Sequence, residues 1–516
     1  MKNTLIYTSL LAVSLGLLGN CGGGGGGSSA GLAALGLGGG TGVKVSSASD
    51  LVVESSDNYD DNKYGLISST TLRTWVSNWS ANKPAGITGN LVIYQANRVG
   101  TDSNKSLILP TTGVKVFVAV DGNTPAQYSW KTFRETRSNG TISIPGGNAS
   151  TGGFGIISGA NIDAWFQTYG IDPTKDLIVF ASGNGDNYGS IGHQHYISKY
   201  WGVDNTHLAV LNGSIKGQFP ESELGNDSDA SVPPLDGTFS VKQLKHVDNR
   251  VLALSVQDII DIAKNNGNHS VAGVSKNVLI ADVRTKNTVD DPSTYTASAG
   301  YQEYAGAENA TGTTLTGGGA IAFEGHLKGA VFVPHYNFVD RSTLDNAYAY
   351  GTSAVGTFAT LKFKSKAAVK DLWDNYGTTG GPNTGASAWQ EGQTVLQYCR
   401  TNTRSQTSGL TTSLILGRPT TFLEDGWSIF GLLAGSFPSA TNFNADVTTG
   451  DVYPSVPDDF APDVQGAVET GTYASPVAGA HYNSGVKEST VNYFGINSGG
   501  ITTKKVFEDD WNYKNQ

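Results

Sequence analysis

Thr394-Val395-Leu396-Gln397-Tyr398-Cys399-Arg400-Thr401-Asn402-Thr403-Arg404-Ser405 reads as a buried strand that stops at a cysteine, a short polar turn and the start of a helix. That helix is expected over about 405–416 and ends at Gly417, where a residue with positive φ is wanted. Strand, loop and helix in this order are the repeating unit of a parallel α/β sheet. Working outward, the pattern predicts a helix over 256–264 and strands over 277–284 and near 331–333. A helix over 367–376 and a strand at 421–423 follow, closed by the turn Asp425-Gly426.

The same order occurs earlier in the chain. A lead-in at 65–68 precedes a helix over 72–79, and strands are expected over 91–94 and 114–120. A helix over 161–169 closes at Gly170, and a strand over 177–181 leads through a helix to a last strand at 208–211. The chain is therefore read as a duplication, with domains over 61–235 and 236–440 joined near Val232-Pro233-Pro234-Leu235. Residues 441–516, rich in Gly, Ser, Thr, Asp and Pro, are expected to form an extension packed on the second domain.

The chain has 516 residues, a net charge of -10 and only 15% charged residues, with no basic patch that would suit nucleic acid. Residues 5–18 form an apolar run too short to span a membrane, preceded by Lys2 and ending Leu17-Leu18-Gly19-Asn20-Cys21. That ending resembles a bacterial lipobox, which implies a signal peptide over 1–21 and a lipid on Cys21. The implied location is the cell envelope, with the membrane reached only through that anchor and Gly22 fitting the outer-membrane pattern. Residues 22–60 are expected to be a flexible Gly/Ser-rich tether.

With Cys21 lipidated, Cys399 is the only thiol left, since the chain has two cysteines. At a strand-to-helix turn the loop N–H groups and the positive end of the helix make an anion-binding concavity. Arg400 and Arg404 add to that field, which favours a nucleophilic thiolate. Asn402 suits a position needing left-handed backbone angles. Arg404 fits equally a loop brace or an anion ligand. His193 and His195 sit two apart without a third ligand, which does not make a metal site.

Tyr398 to Ser405 resembles the active-site loop of the rhodanese family, Tyr-Cys-Arg-x-Gly-x-Arg-Ser, with Asn402 at the glycine. Asp282-Val283-Arg284 is similar to the family's Asp-x-Arg strand end, and Glu303-Tyr304-Ala305-Gly306 to its Tyr-x-Gly turn. Gly325-His326-Leu327-Lys328-Gly329-Ala330 resembles Gly-His-Ile-Pro-Gly-Ala, and Asp425-Gly426-Trp427 the closing Asp-Gly-x-Trp turn. The likeness spans roughly 61–435, faintly in the first half and firmly in the second.

The resemblance implies an α/β fold of two tandem rhodanese-like domains, each a central parallel sheet flanked by helices. It implies a sulfurtransferase carrying sulfur as a Cys399 persulfide from a small anionic donor (thiosulfate, polysulfide or mercaptopyruvate) to a thiol, cyanide or similar acceptor. No cofactor or metal is implied. Catalytic roles fall to Cys399, Arg404 and Arg400. Loop or substrate roles fall to Thr401, Asn402, Thr403, Ser405, Asp282, Arg284, Glu303 and Trp427. Glu303 stands where the family's thiosulfate and mercaptopyruvate enzymes tend to carry a donor-binding arginine. Asp282 and Arg284 also read as a structural ion pair, His326 as an architectural hydrogen-bonder and Trp427 as core or pocket wall. The first-half loop at 181–190 has no cysteine or arginine, which implies a silent domain.

Two other functions remain open. One is a lipoprotein that carries or binds sulfur or selenium without turnover. The other, disfavoured, is a phosphatase or arsenate reductase on the same fold. Those use Cys-x5-Arg, and here Ser405 stands in the arginine's place.

Overall fold

The computed structural model describes residues 43–98, 105–121, 156–183, 188–284, 323–324, 326–340, 361–376, 386, 388–399, 402–424, 426–427, 465–472, 475–478, 481–482 and 503–516. In the first half, strands β1 (Gly65–Ile67), β2 (Leu91–Arg98), β3 (Val114–Asp121), β4 (Leu177–Ser182) and β5 (Leu208–Ser214) form a five-stranded parallel sheet. In the second, β6 (Ala253–Leu254), β7 (Val278–Asp282), β8 (Val331–Phe332), β9 (Thr394–Tyr398) and β10 (Thr420–Leu423) do the same. The orders across the sheets are β1-β5-β4-β2-β3 and β6-β10-β9-β7-β8. By position both read first, fifth, fourth, second, third, so the duplication is a duplication of topology. The two tandem α/β domains expected from the sequence are present.

Why these segments become central strands shows in the alternation of their side chains. Val92, Tyr94 and Phe180 point to one face of the first sheet, and Leu91, Ile93, Leu177 and Val179 to the other; all are buried. A strand apolar on both faces needs a helix layer on each. Helix α1 (Ser69–Ser77) supplies Leu72 and Trp75 to one face, and α2 (Gly159–Tyr169) supplies Ile162, Trp165 and Phe166 to the other. The helix starts are capped as their sequences suggest: Ser68 and Ser158 each accept from a backbone N–H three residues on. Gly170 ends α2 with φ 59°.

The remaining helices are α3 (Tyr188–Tyr200), α4 (Val256–Asn265), α5 (Lys366–Asn375), α6 (Thr403–Leu410) and α7 (Thr503–Lys514). Helices α3 and α6, which follow the central strands β4 and β9, pack on each other across the junction of the halves. Their approach is close enough to require glycine. A Cβ on Gly189 would lie 2.6 Å from Thr403 Cγ2, and one on Gly192 3.0 Å from the Gln406 carbonyl. One apolar core runs through the junction, holding Val92 and Phe180 of the first sheet with Leu279, Val395 and Phe422 of the second.

Two expectations are corrected. Residues 43–60 are not tether: Lys44–Val45 pairs in parallel with Val247–Asp248, and Leu51 is buried in the common core. Val53 N–H donates to Ser413 O at 2.8 Å, so this strap lies along the second half before the chain enters the first. Backbone pairing together with the burial of Ala48 and Leu51 holds a segment whose Ser and Asp content looks unstructured. The C-terminal extension is also not confined to the second domain. Val468–Thr472 pairs with His326–Leu327 there, but Tyr513 in α7 donates to Asp163 of α2 at 2.7 Å and Asp510 accepts from Tyr200 of α3 at 2.9 Å.

A cavity of about 20 Å³, room for one water, lies between the halves and is lined by Leu51, His195, Tyr196, Lys199, Gln406 and Phe422 among others. Lys199 is buried there with its ammonium donating to the Leu51 carbonyl. Burial pulls its pKa down to about 7, against a smaller opposing pull from Asp204. In the unfolded chain a lysine titrates near 10.4. Between these values the unfolded state binds the proton that the folded state has released, so stability rises with pH across that window. Below about pH 7 the cost of charging the buried amine is fully present. Lys514, pulled to about 8 by burial, acts in the same direction. We expect the urea midpoint to climb from pH 7 to about pH 9, and Lys199→Met to raise it at pH 7 and flatten, without erasing, the climb. Equal slopes in both proteins would exclude Lys199 as the source.

Candidate active site

Cys399 directly follows β9, the middle strand of the second sheet, at its carboxyl end. Open α/β sheets place ligands there, where successive loops diverge. The next described residue, Asn402, adopts φ 60° and ψ 6° and serves as N-cap of α6. A non-glycine residue tolerates that left-handed conformation best when its side chain is asparagine. Asn402 thus leads into α6 in a strained conformation, and the first turn of that helix lies beside the sulfur.

Within this turn, Ser405 Oγ donates to Asn402 Oδ1 at 2.8 Å and lies 3.6 Å from Cys399 Sγ. A hydroxyl has one proton, so these two acceptors share it. A sulfur that gains negative charge becomes the stronger acceptor and would draw the proton toward itself. Asn402 Oδ1 also accepts from Gln406 Nε2 at 3.0 Å. Arg404 is buried in the first turn of α6, and Thr403 opens that helix against Gly189 of α3. The backbone carbonyl of Cys399 accepts from Trp427 N–H at 2.8 Å, which ties the loop to the turn after β10.

Asp282 and Arg284 form an ion pair with no exposed side-chain surface. Arg284 Nε lies 2.9 Å from both carboxylate oxygens, and its backbone N–H adds a bond of 3.0 Å. The guanidinium lies 5.0 Å from the Trp427 ring centroid and 5.5 Å from that of Tyr398. Tyr398 donates its hydroxyl to Asp282 at 2.9 Å while accepting from Leu327 N–H at 3.2 Å. Burial, and next the Asp282 charge, push the Tyr398 phenol well above its ordinary range, so it stays a donor. His326 is buried, which pulls its pKa down and keeps the ring neutral near pH 7. His195 is held well below its ordinary range by burial and then by Lys199.

Cys399, Asn402, Thr403, Ser405, Arg404, Asp282, Arg284 and Trp427 therefore gather around one strand end. Cys21, Glu303, Arg400, Thr401, Gly325 and Asp425 lie outside the described residues. Cys399 itself is completely buried, whereas the sequence suggested a thiol open to a cleft. It belongs to the apolar core that runs through the junction, with Ser405 Oγ 3.6 Å from its sulfur and Asn402 and Arg404 buried in the turn that follows. By strand register the matching position in the first half is Ser182, the last residue of β4, which carries a hydroxyl in place of the thiol.

Sequence reasoning missed Glu424, which is buried at the end of β10. Its carboxylate accepts from Tyr196 of α3 at 2.5 Å, from Asn402 Nδ2 at 3.4 Å and from the Ile156 backbone N–H. The available signal was an acid directly continuing the strand Thr421-Phe422-Leu423, ahead of the Asp425-Gly426 turn, where a buried charge needs a purpose.

No protein-family model matches the chain, and neither does any curated protein sequence. Solved structures resemble it in shape. The 3-mercaptopyruvate sulfotransferase SseA of Escherichia coli is 11% identical, with 71% of this chain and 99% of that one covered at a TM-score of 0.38. The Tum1 protein of Saccharomyces cerevisiae is 11% identical over 72% and 97%, at 0.41. A 3-mercaptopyruvate sulfurtransferase of Leishmania major is 8% identical over 72% and 75%, at 0.38. Likeness at this level carries nothing about the site, whose reading rests on its own geometry.

Proposed function

We propose that the chain is a sulfurtransferase working through a persulfide on Cys399. The observation that carries this reading is placement. The only cysteine beyond residue 21 stands at the carboxyl end of the central parallel strand, with its sulfur facing a hydroxyl of the next helix's first turn. In the first half-reaction the Cys399 thiolate attacks the sulfane sulfur of thiosulfate or a polysulfide, or the carbon-bound thiol sulfur of mercaptopyruvate. The Sγ–S bond forms as the donor's bond to that sulfur breaks, and the electron pair leaves on sulfite, a shorter polysulfide or pyruvate enolate. A thiol, as thiolate, or cyanide then attacks the outer sulfur, and Cys399 leaves as thiolate. Electrons balance without a redox partner. Arg404, together with Arg400, supplies positive charge for an anionic donor.

Intact mass after incubation with each donor, and with selenite, tests this. The expected result is a gain of one sulfur atom with at least one donor, removed by cyanide or a small thiol. No adduct with any donor would overturn the reading. A second reading, a protein that holds sulfur or selenium without turnover, is favoured by one observation, the complete burial of Cys399. An adduct that forms but resists every acceptor would decide for it.

We further propose that Cys21 carries a lipid that anchors the protein to the bacterial envelope. The supporting feature is the lipobox-like Leu17-Leu18-Gly19-Asn20-Cys21. Cys21→Ser should abolish fatty-acid labelling and shift the protein from the membrane fraction, while the folded part keeps its sulfur adduct. Equal labelling of both forms would exclude the anchor.

A further inference from the structure

We propose that Glu424 is a positioning residue for the Cys399 loop and that Tyr196, from the half without a thiol, completes its hold. This rests on reading Cys399 as a reactive thiol. The argument starts from what a carboxylate can do: when ionised it accepts hydrogen bonds and donates none. Asn402 must therefore present its Nδ2 to Glu424, 3.4 Å away, and turn its Oδ1 toward Ser405 and Gln406. Gln406 Nε2 demands the same orientation, since it donates to Oδ1. Glu424 thereby sets which way the asparagine amide points, and so sets the acceptor that competes with Cys399 for the Ser405 proton.

The same contact restrains Asn402, which is left-handed where the described part of the turn enters α6. Asn402 at φ 60° holds a conformation that costs an ordinary side chain energy, so it persists only where surroundings fix it. Glu424 does the fixing from β10, and it is held in turn by Tyr196 Oη at 2.5 Å and by the Ile156 N–H. Tyr196 stands on α3, the helix packed against α6, and its ring meets Phe422 at 5.2 Å. The first half, which lacks a thiol, thus reaches the thiol loop of the second by a chain of hydrogen bonds: Tyr196, Glu424, Asn402, Ser405, Cys399.

The test is a double-mutant cycle read on two rates: alkylation of Cys399 by iodoacetamide, and persulfide formation from thiosulfate, polysulfide or mercaptopyruvate. Tyr196→Phe keeps the ring and removes only the hydroxyl, and Asn402→Gly keeps the left-handed backbone and removes only the side-chain link. Each should slow Cys399 about tenfold, the scale of one hydrogen bond to a charged group. In the Asn402→Gly background, Tyr196→Phe should then add less than about twofold, because the link is already cut. Glu424→Gln should match or exceed either single change; if it does not fold, the other two substitutions read the same chain. Additive effects, or a Tyr196→Phe protein that is folded and reacts at the wild-type rate, would overturn the proposal. So would a wild-type thiol inert to reagent and donors alike. Non-additive alkylation rates in a protein that forms no persulfide would sustain the positioning role and sink sulfur transfer alone.

Discussion

Cys399→Ser is expected to reduce the one-sulfur adduct and sulfur transfer to background while the protein stays folded. No other thiol exists in residues 22–516, so nothing can take over the nucleophile. A serine hydroxyl at neutral pH is a far weaker nucleophile than a thiolate and has no base placed to activate it among the described contacts of Cys399. The fold should tolerate the change, because the new hydroxyl replaces the sulfur within reach of Ser405 Oγ. Burying a hydroxyl with a partner costs about 1 kcal/mol, well under the 5–15 kcal/mol that a domain holds in reserve. Circular dichroism and a urea melt check the fold, and intact mass checks the adduct. An adduct that survives in folded Cys399→Ser would remove the thiol from the mechanism altogether.

The same residue shows where sequence reading succeeds and where it stops. Its loop was legible because the determinants are local. A run of apolar residues gave β9, a lone thiol ended it, and asparagine at 402 announced a left-handed turn, found at φ 60°. The duplicated strand order was legible for a similar reason, since each strand advertises itself by its own composition. Partners contributed from far along the chain were not legible. Glu424 meets Tyr196 across 228 positions and Ile156 across 268, and no local pattern encodes either contact. The strap at 43–60 was missed because Ser and Asp outnumber Ala48 and Leu51 there, although backbone pairing and the burial of those two side chains hold it. The burial of Cys399 was missed because exposure depends on what lies over a strand end, and a strand does not specify its own cover.

That burial bears on how the site is reached. A thiol with no exposed surface reacts only as fast as the groups above it part, so reactivity should fall with the size of the attacking molecule. Thiosulfate and mercaptopyruvate are small; an aromatic disulfide is not. The loop's hydrogen bonds connect the thiol to both halves through Glu424, and to the turn after β10 through Trp427. Opening is thereby a collective event. The first half holds this loop through Tyr196 although it carries Ser182 where the thiol would stand.

Arg284→Met is expected to destabilise the protein by about 3–5 kcal/mol, the usual loss when one partner of a buried ion pair is removed. Asp282 would then lose its guanidinium partner while its charge stays shielded from water, with the Tyr398 hydroxyl and the residue 284 backbone N–H among its remaining contacts. The loss is a large share of a reserve of about 5–15 kcal/mol, so the urea midpoint should fall steeply. Asp282→Leu alone should cost a similar amount by stranding the guanidinium between the Tyr398 and Trp427 rings. Combining Asp282→Leu with Arg284→Met removes both charges at once and should recover most of the stability, because apolar replacements of a buried pair are often neutral. The double variant also decides what the pair is for. Arg284 is fully buried and bonded along one edge to Asp282, so its loss is expected to act through stability. Sulfur-adduct formation should therefore return with stability in the double variant, to within a few fold of wild type. Recovered stability with the adduct still absent would instead assign the Arg284 charge to donor binding. Single variants costing less than about 1 kcal/mol would mean the pair is not shielded from water as the structure has it.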